Sequence, residues 1–254
     1  MKHNKLIVPG IALVLLLNSV GLCAEKKTQN KNPPAYLQNP MVNPTDNPEL
    51  PNVLIIGDSI SIGYTIPVRK MLKGKADVFR PGVNCEHSAF GVENISKWVA
   101  GRKWDVIHFN FGIWDTHYMH KGKMVLNSET NKYKIKNLYF RHTTKQYIKN
   151  LKKIIAVLKK TNAKLIFATT TPYKYYDEAT KQLLINNNKM AVKLMKKEGI
   201  EIDDLYNLVL PTAMKWHISD GCHYTPCGYE QLGKQVTAII KQNYDTKRNN
   251  PTNN

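Results

Sequence analysis

The chain has 254 residues, 42% of them hydrophobic and 22% charged, and a formal net charge of +18. This suits one globular domain, or at most two small ones, and leaves no room for a larger array. The charge raises nucleic acid as a partner, but the lysines are scattered over helices and tails without a nucleic-acid motif or basic-aromatic repeat. The reading is therefore a Lys-rich solvated surface, no nucleic-acid partner, and a field that would concentrate anionic glycans or an anionic cell surface.

Residues 1–24 have the form of a secretory signal: Lys2 and Lys5, an apolar run over 6–17, then Gly21, Leu22, Cys23 and Ala24. The run is interrupted by Pro9 and Asn18 and falls short of the roughly 20 apolar residues that a membrane span needs. Bulky Leu22 argues against a lipid anchor on Cys23. The expectation is export to a periplasmic or extracellular space with no stable span after cleavage. Loss of Lys2 and Lys5 takes the 37 basic residues to 35 against 19 acidic ones, so the mature chain carries about +16.

Residues 25–51 repeat Asn-Pro pairs and read as a tether, because proline blocks helix and ladder hydrogen bonds alike. A folded domain is expected over 52–243. Within it, short apolar runs at 53–56, 77–80, 106–109, 165–169 and 200–202 read as five strands. Helical patterns fall between and after them, near 65–73, 91–100, 141–160, 178–198 and 228–242, the clearest carrying Tyr147, Ile148, Leu151, Ile154, Ile155 and Leu158 at three- and four-residue steps. Strands alternating with helices predict an α/β fold in three layers, with a central parallel sheet of about five strands covered on both faces. Residues 115–138 read as a long loop able to act as a lid, and 244–254 as a disordered tail.

In such a fold ligands bind beyond the carboxyl ends of the strands. The first strand runs into Gly57-Asp58-Ser59, where a serine opening a helix can present its hydroxyl while its own N–H faces an oxyanion. Alone, Ser59 is as well explained as a helix cap. Near the other end, Asp220-Gly221-Cys222-His223 lies in a loop at the same sheet edge. An imidazole that takes the serine proton and a carboxylate that fixes its tautomer complete a nucleophilic triad.

These residues are where the chain resembles the SGNH/GDSL hydrolases, serine esterases of flavodoxin-like α/β fold. The resemblance spans roughly 52–242 and includes Val106 through Asp115, Ala168 through Pro172 and Asp220 through Tyr229. It implies Ser59 as nucleophile, His223 as general base and acid, and Asp220 as its orienting carboxylate. The family's third block is usually Gly-x-Asn-Asp, and here Trp114 stands in the asparagine's place in Gly112-Ile113-Trp114-Asp115. Trp114 then reads as a pocket wall, and Asn110 is either the replacement oxyanion donor or a strand-ending asparagine. A backbone N–H near Ser88 is the expected donor from the second block, beside that of Ser59. Asp58, Trp114 and Tyr173 are expected at the substrate, and Tyr175, Tyr176 and Lys174 near it.

Cys85, Cys222 and Cys227 remain beyond the signal, and a disulfide is expected from Cys222 to either Cys227 or Cys85. Their spacings do not suit zinc, and no metal or cofactor is expected. The function expected is hydrolysis of an O-acyl ester, O-acetyl by preference, on a carbohydrate. An acyltransferase with the same triad and a non-catalytic glycan-binding protein on this scaffold are the alternatives.

Overall fold

The structure, a computed structural model, describes residues 33–212 and 214–249. The expected signal segment, the first part of the tether and the last residues of the tail lie outside these residues. In chain order, β1 (Asn52–Ile56) leads to α1 (Ser59–Met71), β2 (Asp77–Phe79), α2 (Ser88–Val99) and β3 (Val106–Phe109). Three short strands follow, β4 (Tyr118–His120), β5 (Lys123–Val125) and β6 (Tyr139–Phe140). Then come α3 (Thr144–Leu158), β7 (Lys164–Ala168), α4 (Glu178–Glu198), β8 (Glu201–Asp203), α5 (Leu205–Val209) and α6 (Pro226–Asn249).

Five strands form one parallel sheet in the order β2-β1-β3-β7-β8. This is the doubly wound flavodoxin-like order, with its switch point beside β1. Val53 through Ile56 are buried because the sheet is covered on both faces. Val53 and Ile55 pack with Tyr64 and Val68 of α1 and Leu232, Val236 and Ile240 of α6. Leu54 and Ile56 pack instead with Ile95 of α2, Leu151 and Ile155 of α3, and Leu194 of α4. Full burial of each such side chain contributes about 1.5–3 kcal/mol, which explains why these strands read as unbroken apolar runs.

All five expected strands are present within a residue of their expected ends. α3 begins at Thr144, where Thr143 and Gln146 form a reciprocal capping box, and its apolar stripe faces the sheet. α1 begins at Ser59, well before the expected residue 65, with Asp58 accepting from the Ile60 N–H as its cap. Pro67 lies inside that helix. A proline has no N–H and its ring crowds the carbonyl four residues back, so the Gly63 carbonyl loses its helical donor there. α6 runs on through Asn249, so the expected tail begins as helix, with the Tyr244 ring buried.

Two stretches differ from expectation more substantially. Residues 115–138, expected as a long loop, instead supply β4 and β5 of an antiparallel sheet in the order β5-β4-β6, which β6 completes just beyond them. Its hairpin turns at Lys121 and Gly122, whose φ angles of 47° and 78° give the left-handed two-residue turn that joins twisted strands. The chain from Pro33 to Pro51, expected within the tether, lies against the domain. The Arg69 guanidinium donates to the carbonyls of Tyr36 (2.8 Å), Asn39 (3.3 Å) and Val42 (2.8 Å), and to Asn43 Oδ1 (2.9 Å). Asn43 in turn bonds the Arg80 backbone on both sides. Prolines leave unpaired carbonyls along such a segment, and a buried arginine is well suited to gather them.

Arg69→Lys replaces a planar fork of donors by a single ammonium. The expected result is a loss of roughly 2–3 kcal/mol of unfolding free energy, with new protease cleavage between residues 33 and 51 before global unfolding. Chemical denaturation and limited proteolysis measure both, and an unchanged cleavage pattern would show that Arg69 does not hold the segment.

Candidate active site

Ser59 is the first residue of α1, at the carboxyl end of β1. No preceding helical turn offers its N–H an acceptor, so that donor and the helix dipole both point at the space above the sheet edge. Buried Arg80 braces the turn from below, donating to Ser61 Oγ (3.2 Å), Thr65 Oγ1 (3.3 Å) and the Val83 carbonyl (3.2 Å).

Asp220 and His223 arrive from the loop before α6. His217 and Tyr224 bridge across its base, and the Ile218 N–H donates to the His223 carbonyl at 2.9 Å. The turn requires Gly221: its φ is +72°, and a Cβ there would stand 2.5 Å from the Tyr175 ring. Asp220 Oδ1 accepts from the N–H groups of Cys222 (2.8 Å) and His223 (2.9 Å), while its Oδ2 accepts from His223 Nδ1 at 2.6 Å. Partial burial works to raise the Asp220 pKa, but the bonds from the His223 ring and the two backbone donors outweigh it and hold the carboxyl below its ordinary range. An ionised carboxylate can only accept, so Nδ1 carries the proton and Nε2 is left as an acceptor for Ser59 Oγ at 2.8 Å. The side chains of His223 and Asp220 remain about a third to two-fifths exposed, 36% and 43%.

Above this line opens a cleft of about 530 Å³. Ser59, Asp220 and His223 form its polar end, and Ile113, Trp114, Met124, Leu126 and the tyrosines at 173, 175 and 176 form its apolar walls. Met124 and Leu126 come from the β5 arm, so the small antiparallel sheet is one wall of the cleft. The arm is anchored by Tyr118, whose hydroxyl donates to Asp177 Oδ2, the cap of α4. His117 also lines the cleft, and burial together with nearby Arg141 lowers its pKa to about 4, so it is neutral at pH 7. Among the described residues, no group of three or more His, Cys, Asp or Glu side chains could hold a metal ion.

Residues 91–236 match the family described as GDSL-like Lipase/Acylhydrolase, more than half of the chain. The chain belongs to this family. It is accordingly a carboxylic-ester hydrolase, and the matched span holds Asp220 and His223, to which β1 brings Ser59 from outside it. No curated protein sequence matches the chain. Several solved structures share the GDSL fold. A lipase/acylhydrolase from Enterococcus faecalis is 18% identical with a TM-score of 0.60, over 76% of this chain and 96% of that one. An acetyl xylan esterase from Geobacillus stearothermophilus is 16% identical, TM-score 0.59, over 75% and 94%. A carbohydrate esterase family 3 protein from Talaromyces cellulolyticus is 15% identical, TM-score 0.58, over 77% and 99%.

Set against the GDSL pattern, several expected site residues do other work. The Ser88 N–H donates to the Asp115 carboxylate at 3.0 and 3.2 Å, and the Ser88 hydroxyl bonds the same group. Asp115 is fully buried and also takes the His142 Nδ1–H at 2.7 Å, so the buried carboxylate accepts from three donors, two of them the N–H and hydroxyl of Ser88. Asn110 donates its amide to the Ala168 carbonyl (2.8 Å) and to Thr170 Oγ1 (3.3 Å), tying the ends of β3 and β7 together. Neither Ser88 nor Asn110 lines the cleft, so of the three expected oxyanion donors only Ser59 faces it. Trp114 and Tyr173 do line it. Asp58 does not: it is 2% exposed, capping α1 from behind. Cys85 and Cys222 are both free thiols, which excludes the expected Cys222–Cys227 and Cys85–Cys222 bridges. Met124, Leu126, Ser219 and Cys222 are cleft residues that the sequence reading missed.

Burial raises the Asp58 pKa from 3.8 to about 6, only partly offset by the Ile60 N–H, and its Oδ2 has no donor among the described residues. A carboxyl whose folded pKa is raised stabilises the fold fully only below its unfolded pKa. That stability is lost as the pH climbs through about 6. Asp58→Asn keeps the helix cap without the charge. Its unfolding free energy relative to the parent is expected to rise by roughly 2 kcal/mol between pH 4 and pH 7, read by denaturant titration at both. A difference independent of pH would mean that Asp58 is not held neutral by burial.

Proposed function

We propose that the protein hydrolyses O-acyl esters, O-acetyl by preference, on carbohydrates outside the cytoplasm, through an acyl-enzyme on Ser59. The observation that carries this reading is the unbroken hydrogen-bonded line Asp220–His223–Ser59 ending at the cleft floor. In the first step His223 Nε2 takes the Ser59 proton as Oγ attacks the ester carbonyl. Negative charge gathers on the carbonyl oxygen, where the Ser59 N–H at the head of α1 faces it. Asp220 stabilises the imidazolium, which then gives its proton to the leaving alcohol oxygen. Water repeats the sequence on the acyl-serine, with Nε2 again as base, and releases the acid. No cofactor enters either step.

The tyrosines at 173 and 175 support a carbohydrate alcohol, because ring faces cover the apolar faces of a sugar while hydroxyls reach its oxygens; the Tyr176 hydroxyl is instead bonded to Thr116 Oγ1 at 2.6 Å, and its ring only adds to the wall. Lys174, exposed beside the Tyr175 ring, supports an acidic glycan as the favoured form. Among the relatives of this fold are an acetyl xylan esterase and a carbohydrate esterase. The reading as exported rests on the signal-like residues 1–24. Among the described residues no helix is long and apolar enough to cross a membrane. A purely glycan-binding role would leave the aligned tautomer of His223 without purpose.

Hydrolysis of p-nitrophenyl acetate should fall by roughly 10⁴-fold or more in Ser59→Ala and by about 10³-fold in Asp220→Asn, whose amide favours the wrong imidazole tautomer. Release of acetate from acetylated xylan by the parent, and none by Ser59→Ala, would extend this to carbohydrate. Equal rates in parent and Ser59→Ala would reject the acyl-enzyme.

A further inference from the structure

On the sheet face away from α1 and α6, α3 and α4 lie side by side and leave a groove between them. Two adjoining hollows of about 730 and 550 Å³ share Ile148, Lys152 and Met190, so the groove is continuous. Its floor is aliphatic, with Ile148, Ile155, Met190 and Leu194. Its rims are cationic: Lys145, Lys149, Lys152 and Lys159 along or just beyond α3, and Lys189, Lys193 and Lys197 along α4. All seven lysines are exposed. The single acidic lining residue, Glu198, is taken up by Lys159 at 2.5 Å, and the other six make no ion pair among the described residues.

Like charges three and four residues apart on a helix repel, so these rows weaken the helices that carry them. Charge complementarity identifies what offsets the repulsion: a ligand with regularly spaced anions. From Lys145 to Lys159 the rim runs about 20 Å at 1.5 Å per residue, the shape of an extended strand and not of a compact ion. Among the described residues no aromatic side chain lines the groove, which leaves it without the stacking platforms on which single-stranded nucleic acids depend. A concave, lysine-rimmed trough likewise offers no protruding apolar face to a lipid surface.

The groove also points towards the cleft. Both helices precede parallel strands and run against them, so their first residues stand at the carboxyl edge of the sheet, where Ser59 lies. Just ahead of α3, the Arg141 guanidinium sits 5.8 Å from the ring centre of Trp114, a wall of the cleft. We propose that the α3–α4 groove binds a linear carboxylated polysaccharide, whose acid groups lie along the two lysine rows. This binding does not depend on the esterase reading.

The test uses the full mature chain and polygalacturonate, with uncharged xylan and oligothymidylate as comparison ligands. The fourfold variant Lys149→Gln, Lys152→Gln, Lys189→Gln and Lys193→Gln is expected to weaken polygalacturonate binding at least 30-fold. It should also make the dependence of log affinity on log salt shallower by about two. The corresponding fourfold Lys→Arg variant retains binding, which separates charge from any loss of folding. A control that changes exposed Lys70, Lys73, Lys75 and Lys103 to Gln removes the same net charge elsewhere and leaves affinity within about threefold. Hydrolysis of p-nitrophenyl acetate is unchanged throughout, and Ser59→Ala binds as the parent does. The proposal is overturned if the control weakens binding as much as the groove variant, if the parent binds polygalacturonate no better than xylan, or if oligothymidylate binds more tightly.

Discussion

The hydrogen bond from Ser59 to His223 Nε2 joins residues 164 positions apart, and the rest of the structure is arranged to hold that distance at 2.8 Å. One end is fixed by β1, buried on both faces and paired with β2 and β3, which delivers Ser59 to the head of α1. The other end is fixed through α6, packed directly on α1. Their approach is close enough that a Cβ on Gly63 would fall 2.1 Å from the Tyr229 ring. A side chain at residue 63 would have to displace the Tyr229 ring or the helix that carries it, and α6 follows directly on the His223 loop. The contact between these helices therefore matters as much to the site as the residues that line it.

Beneath this line the site rests on buried polar groups that never meet the cleft. Arg80 gathers the β1–α1 turn, and Asp115 gathers Ser88 at the head of α2 and His142 just ahead of α3. Charged groups this deep are costly to leave unpaired, so each fixes several backbone segments at once. The same economy of donors explains the departures from the family pattern. With Trp114 where the family has an asparagine amide, Asp115 still holds the second block in place. Of the expected oxyanion donors, that leaves Ser59, at the head of its helix, lining the cleft.

The parallel sheet was legible because burial on both faces writes unbroken apolar runs, and the ends of the five strands followed within a residue. The Ser59, Asp220 and His223 constellation was legible for a different reason, the coupling of a strand-end Gly-Asp-Ser with a late Asp-x-x-His. The arm over residues 118–140 was hidden because its strands are two or three residues long, and the Lys121-Gly122 turn was its one clear sign. The direction of a polar side chain was less legible still. Nothing in the neighbours of Asn110 or Ser88 announces that Thr170 or Asp115, distant in sequence, will occupy their donors. Nor does the proline-rich composition ahead of β1 reveal that Arg69, far along the chain, satisfies its carbonyls.

The central claim is that one activated serine, Ser59, performs the chemistry. Reaction of the folded protein with a fluorophosphonate, followed by peptide mass spectrometry, tests it without any assumption about the natural ester. The account predicts a single stoichiometric adduct on Ser59, absent in Ser59→Ala and formed far more slowly in His223→Ala. An adduct on another residue, or equal labelling in His223→Ala, would contradict it.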